Sequence, residues 1–308
     1  MSSLWLRLDP VNGSASSPRR LLLIANPISG GGRGKVLGPA LAAALQARGV
    51  HAECHLTSAA GDGEARARRA GTEPWDGLVA IGGDGTVNEV LNGMPDPHRP
   101  LGMFPLGTAN VLAVELRLPK TVEAAADAFA AGHTRALAIG RCNGRRFLLF
   151  AGIGVDGAVV RRLHEVRTGT LGKRKWAGPI LHTLWHWPQC SLRATFPDGE
   201  VLDDLSSVLV TRVRNYGGVL ELPPEVSCDS GRLHVLCFRQ RSRLAWLWLG
   251  VRGICRQLRA GGKLLLRNVD AVQVSGDASC QLDGDFGGHA PVAIDLLPQP
   301  ARLFVPRR

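Results

Sequence analysis

The sequence predicts an α/β domain built on a parallel sheet, followed by a mostly antiparallel, β-sandwich-like domain. Two observations carry this. Up to Arg135, continuous apolar runs alternate with segments of helical spacing, the pattern of buried parallel strands joined by crossover helices. From Leu137 onward, short apolar runs are separated by the turn dipeptides Asn143-Gly144, Asp198-Gly199 and Asp283-Gly284, the spacing of antiparallel β structure.

The elements follow in order. Leu21 to Ala25 is a strand stopped by Asn26-Pro27, and Ser29 to Gly34 is a flexible loop. Val36 to Arg48 is a helix, with Leu37, Leu41 and Leu45 four apart and Gly49 as its stop. Val50 to Leu56 is a strand and Glu64 to Ala70 a helix. Gly77 to Ile81 is a strand running into Gly82-Gly83-Asp84-Gly85-Thr86, and Val87 to Leu91 opens a helix. Leu101 to Phe104 is a fourth strand, followed by Pro105-Leu106-Gly107-Thr108. In the second half, Val208–Val213, Leu233–Phe238, Ala271–Val274 and Ala293–Leu297 read as strands, with helical stretches near Leu181–Trp187 and Leu244–Leu258. These divisions give a loose extension over 1–19, an α/β domain over 20–138 and a β-rich domain over 139–308.

The chain has 308 residues, 45% of them hydrophobic and 20% charged, enough for packed cores. Its net charge of +11 favours anionic partners: phosphorylated metabolites, acidic lipid or nucleic acid. None of the nucleic-acid motifs occurs, so nucleic acid is not expected. Seven cysteines without a CxxC support neither a disulfide framework nor a zinc knuckle, and fit a reducing cytosol. No apolar run reaches the roughly 18–20 residues that span a bilayer, and Met1–Arg20 lacks the apolar core of a signal peptide.

If the sheet is parallel, three strand ends converge. They carry Asn26-Pro27-Ile28-Ser29-Gly30, then Gly82 to Glu89, then Pro105 to Asn110. Such loops form the ligand crevice of open α/β sheets, and their glycines let backbone N–H groups approach phosphate oxygens. Asp84, a carboxylate among phosphate-binding glycines, makes sense if Mg²⁺ lies between it and the anion or if it accepts a proton. There is no GxxxxGK[ST], and Gly30-Gly31-Gly32 with Gly34 does not match GxGxxG, which disfavours P-loop and Rossmann enzymes.

With Gly152-x-Gly154-x-Asp156, Asn215-Tyr216-Gly217-Gly218, Ser230-Gly231-x-Leu233 and Asp283-Gly284-Asp285, these motifs resemble the diacylglycerol kinase and sphingosine kinase superfamily. The likeness extends over nearly all of 20–307 and is greatest to the bacterial members. It implies an NAD kinase/diacylglycerol kinase-like fold and a lipid kinase that transfers the γ-phosphate of ATP to a lipid hydroxyl. It places ATP contacts on Asn26, Pro27, Ser29, Gly30, Thr57, Gly83, Asp84, Gly85, Thr86, Asn88, Glu89 and Thr108. The nucleotide, with Mg²⁺, is expected in a cleft between the two domains. Asp156 is expected to contact the lipid head group or, on the bland reading, to cap the helix that follows it.

Two departures stand out. The family usually has Asp-Gly-Glu, its glutamate the proposed general base, where this chain has Asp283-Gly284-Asp285; the side chain is shorter by about 1.5 Å, one carbon–carbon bond. Asp285 is ranked first as base, ahead of Asp84. Bacterial members also have Asp-Gly, holding a structural Mg²⁺, where Ser230-Gly231 stands here, and serine is a poor ligand for a hard dication; the metal ligands are left unknown.

Basic–aromatic stretches at Lys173-Arg174-Lys175-Trp176 with Trp185 and Trp187, and at Arg241, Arg243, Trp246 and Trp248, suit an anionic membrane surface unless the tryptophans face the core. The expected protein is therefore a cytoplasmic kinase peripherally associated with the membrane, of unspecified oligomeric state. Diacylglycerol, sphingoid bases, ceramide, phosphatidylglycerol and other lipid alcohols all remain open as acceptors. The alternatives are a soluble-metabolite kinase resembling NAD kinase and a catalytically impaired nucleotide- or lipid-binding regulator.

Overall fold

The computed structural model describes residues 19–165, 178, 182–183, 185–186 and 190–307. The expected extension before Arg19, the Lys173–Trp176 stretch and Trp187 lie outside the described residues. The chain divides into two units, one formed by residues 1–137 with 299–308 and the other by 138–298.

The first unit begins with β1 (Arg20–Ala25), α1 (Gly34–Gln46), β2 (His51–Leu56), α2 (Asp62–Arg69), β3 (Gly77–Gly82) and α3 (Asp84–Gly93). It continues with β4 (Leu101–Pro105), α4 (Val111–Leu116), α5 (Val122–Ala131) and β5 (Thr134–Leu137). β1 to β4 are parallel, as expected, in the order β2-β1-β3-β4. Leu21 to Ala25 are essentially inaccessible on both faces, which explains the unbroken apolar run. Leu41 and Leu45 of α1 and Phe129 of α5 pack with Leu21, Leu23 and Phe104 into one core. The sequence reading passed over α5, although Thr121 accepts from the Ala124 N–H at its start and Gly132, with φ 71°, closes it.

One boundary differs from expectation. The last strand, β20 (Ala301–Phe304), returns to the first unit and lies between β4 and β5. It runs parallel to β4 and antiparallel to β5, and Phe304 meets Phe129 edge to face at 5.7 Å. The β-rich unit therefore ends near Pro298 rather than at the end of the chain.

The second unit holds β6 (Gly140–Cys142), β7 (Arg145–Phe147), β8 (Phe150–Gly154), α6 (Val155–Glu165), β9 (Leu192–Thr195), β10 (Val201–Leu205) and β11 (Ser207–Thr211). After a small ribbon, β12 (Asn215–Tyr216) and β13 (Leu220–Glu221), come β14 (Leu233–Phe238) and α7 (Arg243–Ile254). Then follow β15 (Leu264–Val269), β16 (Ala271–Ser275), β17 (Ser279–Leu282), β18 (Asp285–His289) and β19 (Val292–Leu296). Two six-stranded antiparallel sheets result, β10-β9-β16-β19-β6-β7 and β15-β14-β11-β8-β17-β18. Leu192, Ala194, Val272 and Ile294 from one sheet share a core with Ile153, Val210, Val235 and Leu282 from the other, so the unit is a sandwich. The three turn dipeptides all close hairpins. Asn143-Gly144 and Asp283-Gly284 have positive φ at both positions, the type I′ requirement.

Candidate active site

In the first unit, parallel pairing brings the expected loops side by side. Ala25 is in register with Ile81, and Gly82 with Pro105. Past the strand ends the ladder continues for one bond, from the Asn26 N–H to Ile81 O at 2.9 Å and from the Leu106 N–H to Gly82 O at 2.8 Å. The Thr57 N–H likewise donates to Ala25 O at 2.9 Å, which places Thr57 beside Asn26. The strand order turns back between β1 and β3, the switch point where open α/β sheets bind ligands.

Each loop is locked by its own chemistry. Asn26 Oδ1 accepts from the Ile28 N–H, and Gly30, Gly31 and Gly32 all have positive φ. Asn110 holds both polar groups of Gly107, its Oδ1 taking the N–H and its Nδ2 reaching the carbonyl, each at 2.8 Å. A Cβ on Gly107 would lie 2.5 Å from the Gly83 Cα, so the second and third loops touch through bare backbone. A Cβ on Gly82 would meet Thr86 Oγ1 at 2.3 Å. These glycines keep side chains off the strand ends, leaving the α3 N-terminus with Gly83 before it.

Asp84 differs from the loop residue expected: it is the first residue of α3. Its Oδ2 accepts from the Val111 N–H at 3.0 Å and Oδ1 from the Leu112 N–H at 3.2 Å, so the carboxylate caps α4. Burial pushes its pKa up, and those N–H bonds pull against the shift. Asn88 is buried and its Oδ1 accepts from Asn92. Glu89 Oε1 accepts from the Gly61 N–H at 3.2 Å, tying α3 to the start of α2. Thr108 is exposed at the third loop.

In the second unit, Asp283 is buried and structural. Its carboxylate accepts the N–H groups of Leu148, Leu149 and Phe150, each at 2.9 Å. Asp285, two residues on, opens β18 and is exposed. Asp156 lies in the first turn of α6, which begins at Val155 rather than at Gly157. It accepts from the Tyr216 hydroxyl and, at 2.6 Å, from Gln281 Nε2. Burial is the main cause pushing its carboxyl pKa up, against both hydrogen bonds. Gln281 Oε1 in turn accepts the Gly284 N–H at 2.8 Å, so a chain of bonds runs from Tyr216 through Asp156 to the turn that presents Asp285. The sequence reading did not single out Gln281. Its only signal is a polar residue in the otherwise apolar and small run Ser279–Leu282.

The loop at Ser230 does not fit a structural divalent ion. Ser230 Oγ accepts from the Arg232 N–H and lies 2.9 Å from His234 Nε2. The fully buried Arg212 donates to the carbonyls of Cys228 and Ala138, each at 3.3 Å. Burial lowers its pKa to about 10, which leaves the guanidinium charged at neutral pH. A cation already sits on the carbonyl that neighbours this loop, and among the described residues no group of three His, Cys, Asp or Glu side chains gathers to hold a metal. EDTA is therefore expected to shift the thermal midpoint by less than about 2 °C, the scale of ~1 kcal/mol in a chain of this size. A larger drop, reversed by Mg²⁺, would assign a divalent ion to the loop.

Residues 20–142 match the family model described as the diacylglycerol kinase catalytic domain. Over 306 residues the chain is 30% identical to the diacylglycerol kinase of Staphylococcus aureus (strain MRSA252), covering 94% of this chain and 93% of that one. It is 29% identical to that of Staphylococcus carnosus (strain TM300) over 307 residues, with 94% and 96% covered. A solved structure from Bacillus anthracis str. Sterne superposes with a TM-score of 0.78 at 24% identity, covering 96% of this chain and 97% of that one. Another, described as a diacylglycerol kinase from the same strain, gives 0.71 at 23% identity over 93% and 96%. The likeness to these structures supports the fold, and the curated relatives carry the rest: this chain belongs to the bacterial branch of the diacylglycerol kinase-type lipid kinase superfamily and is a kinase.

Proposed function

We propose that the chain transfers the γ-phosphate of ATP to the hydroxyl of a lipid such as diacylglycerol or a sphingoid base. The observation that carries this reading is the backbone contact of Gly107 with Gly83 at the ends of adjacent parallel strands. It leaves glycine N–H groups and the α3 N-terminus as a cradle for phosphate. Asn26, Pro27, Ser29, Gly30, Thr57 and Thr108 border that cradle, and Gly83, Gly85 and Thr86 form its floor.

A divalent cation carried with the nucleotide supplies charge neutralisation at the phosphate oxygens. Asp84 suits that cation: its carboxylate takes N–H groups from Val111, Leu112 and its own backbone and still keeps accepting capacity for a hard dication. Burial favours the protonated form of Asp84, but protonation would weaken the cap on α4, so Asp84 ranks second as base. The base role falls to Asp285, exposed on a turn held from below by Asp283 and Gln281. Asp156, joined to that turn through Gln281, positions it and faces the lipid head group. The charge of +11 supports the reading that the protein works at an anionic membrane surface, on the cytoplasmic side.

Transfer of radiolabelled γ-phosphate to a panel of lipids in mixed micelles tests this. Label on a lipid alcohol is the expected result, and product identification names the acceptor. Label confined to inorganic phosphate or to a water-soluble acceptor would reject the lipid reading.

A further inference from the structure

The helix α7 is apolar on nearly every side, the composition of a buried helix, yet one whole face is open to solvent. Leu244 is 75% exposed, Trp248 63% and Ile254 58%, with Leu247 and Val251 just under half exposed. At 100° per residue these five fall on one stripe. The opposite side holds the helix to the fold. Gly253 lies against Leu220, and Trp246 stacks at 4.9 Å on Phe238 and donates from Nε1 to Gln240 O. The two tryptophans of this helix thus divide: Trp246 anchors and Trp248 is displayed.

The segment that bears the stripe is basic, with Arg232, Arg241, Arg256 and Arg267 paired to Asp270, Asp204, Glu221 and Glu200 and the others left for anionic partners. Between Asp229 and Asp270 the chain carries nine lysines and arginines and no carboxylate. Arg243 stands over the ring of Trp185, itself 70% exposed, at 5.3 Å. Arg252 and Arg259 bond only backbone carbonyls among the contacts seen, and Arg256 pairs with Glu221. An apolar stripe flanked by arginine matches a bilayer interface, whose hydrocarbon edge takes Leu, Ile and Trp and whose phosphates take guanidinium groups. A second copy of the chain fits less well, because pairing two such faces would bring like charges together. The helix has 12 residues, about 18 Å, and is too short to cross a bilayer.

We infer that α7 is the surface by which the protein docks on anionic membranes, its apolar stripe entering the interface and Arg243, Arg252 and Arg259 meeting lipid phosphates. This rests on the lipid kinase reading only for its purpose; the docking itself is tested apart from catalysis. Co-sedimentation is measured with vesicles of phosphatidylglycerol mixed into phosphatidylcholine and with vesicles of phosphatidylcholine alone. The double variant Leu247→Gln/Trp248→Gln is expected to lower partitioning to the mixed vesicles about tenfold or more. The double variant Arg243→Gln/Arg259→Gln is expected to lose the preference for mixed vesicles and to flatten the salt dependence. Both alter exposed side chains, so the thermal midpoint should stay at the wild-type value.

Turnover of a dispersed short-chain diacylglycerol supplies the separate readout and should be unaltered by either variant. If wild type phosphorylates that substrate while the variants still bind vesicles normally, the docking face is overturned and the kinase reading stands. If the variants lose vesicle binding while wild type phosphorylates no lipid, the face stands and the kinase reading falls. A dimer that the Leu247→Gln/Trp248→Gln change converts to monomer, with vesicle binding intact, would make the stripe a contact between copies and overturn the proposal.

Discussion

Asp285→Asn is expected to lower kcat by about 10²–10⁴-fold, the usual worth of general base catalysis, with the KM for ATP little changed. Asparagine keeps the volume and the hydrogen-bonding capacity of the side chain but takes no proton at neutral pH. The turn beneath it is held by groups other than the Asp285 carboxylate. Asp283 is fixed by three backbone N–H groups, and Gly284 by Gln281. A fall in kcat therefore reports the carboxylate and not a displaced backbone. Asp285→Glu adds one methylene and restores the residue usual in the family. Substantial activity would show that the site accepts the longer reach; a loss would show that the site is shaped around aspartate. A kcat close to wild type for Asp285→Asn would remove Asp285 from proton transfer and return the role to Asp84.

Asp283→Ala is expected to destabilise the second unit by roughly 3–5 kcal/mol, read as a lower midpoint in urea unfolding. The carboxylate is 7% exposed and is the acceptor for the N–H groups of Leu148, Leu149 and Phe150. Those groups lead into β8, which lies between β11 and β17. Removing the acceptor leaves three donors without it in a place that water reaches poorly. Asp283→Asn should cost less but still more than ~1 kcal/mol, because the amide offers one accepting oxygen and turns an N–H toward a donor. A loss below about 1 kcal/mol for the alanine variant would mean that water or a backbone shift replaces the bonds.

The two aspartates of Asp283-Gly284-Asp285 thus stand in different settings, one buried and one exposed, and only part of that was legible. The type I′ turn was, because Asp-Gly supplies positive φ at both positions. The parallel strands were legible from runs such as Leu21–Ala25, and the three loops from glycines at strand ends. What could not be read were partners distant in sequence. Nothing around Asp84 announces that Val111 and Leu112 are its donors, 27 and 28 residues away. Nothing in the strand read over Val208–Val213 announces that Arg212 is fully buried on carbonyls 16 and 74 positions away. Of Trp246 and Trp248, both read as core or interface, each took one answer, because helical spacing sets them about 200° apart. For α5 the signals were local and complete, Thr121 before it and Gly132 after it, and were passed over only because its alanines give a weak apolar pattern.

The return of β20 to the first sheet has a consequence for biogenesis. During synthesis the first unit emerges first but lacks the strand that fills the gap between β4 and β5. The ribosome must add all of 138–298 before Ala301–Phe304 is available. The second unit, made of one uninterrupted segment, can complete its sandwich on the nascent chain, whereas the first unit finishes only after Ala301–Phe304 have left the exit tunnel. A chain stalled or cut before Ala301 would carry every glycine loop of the cradle on a sheet with an unpaired β4 edge, a state suited to capture by chaperones and proteases.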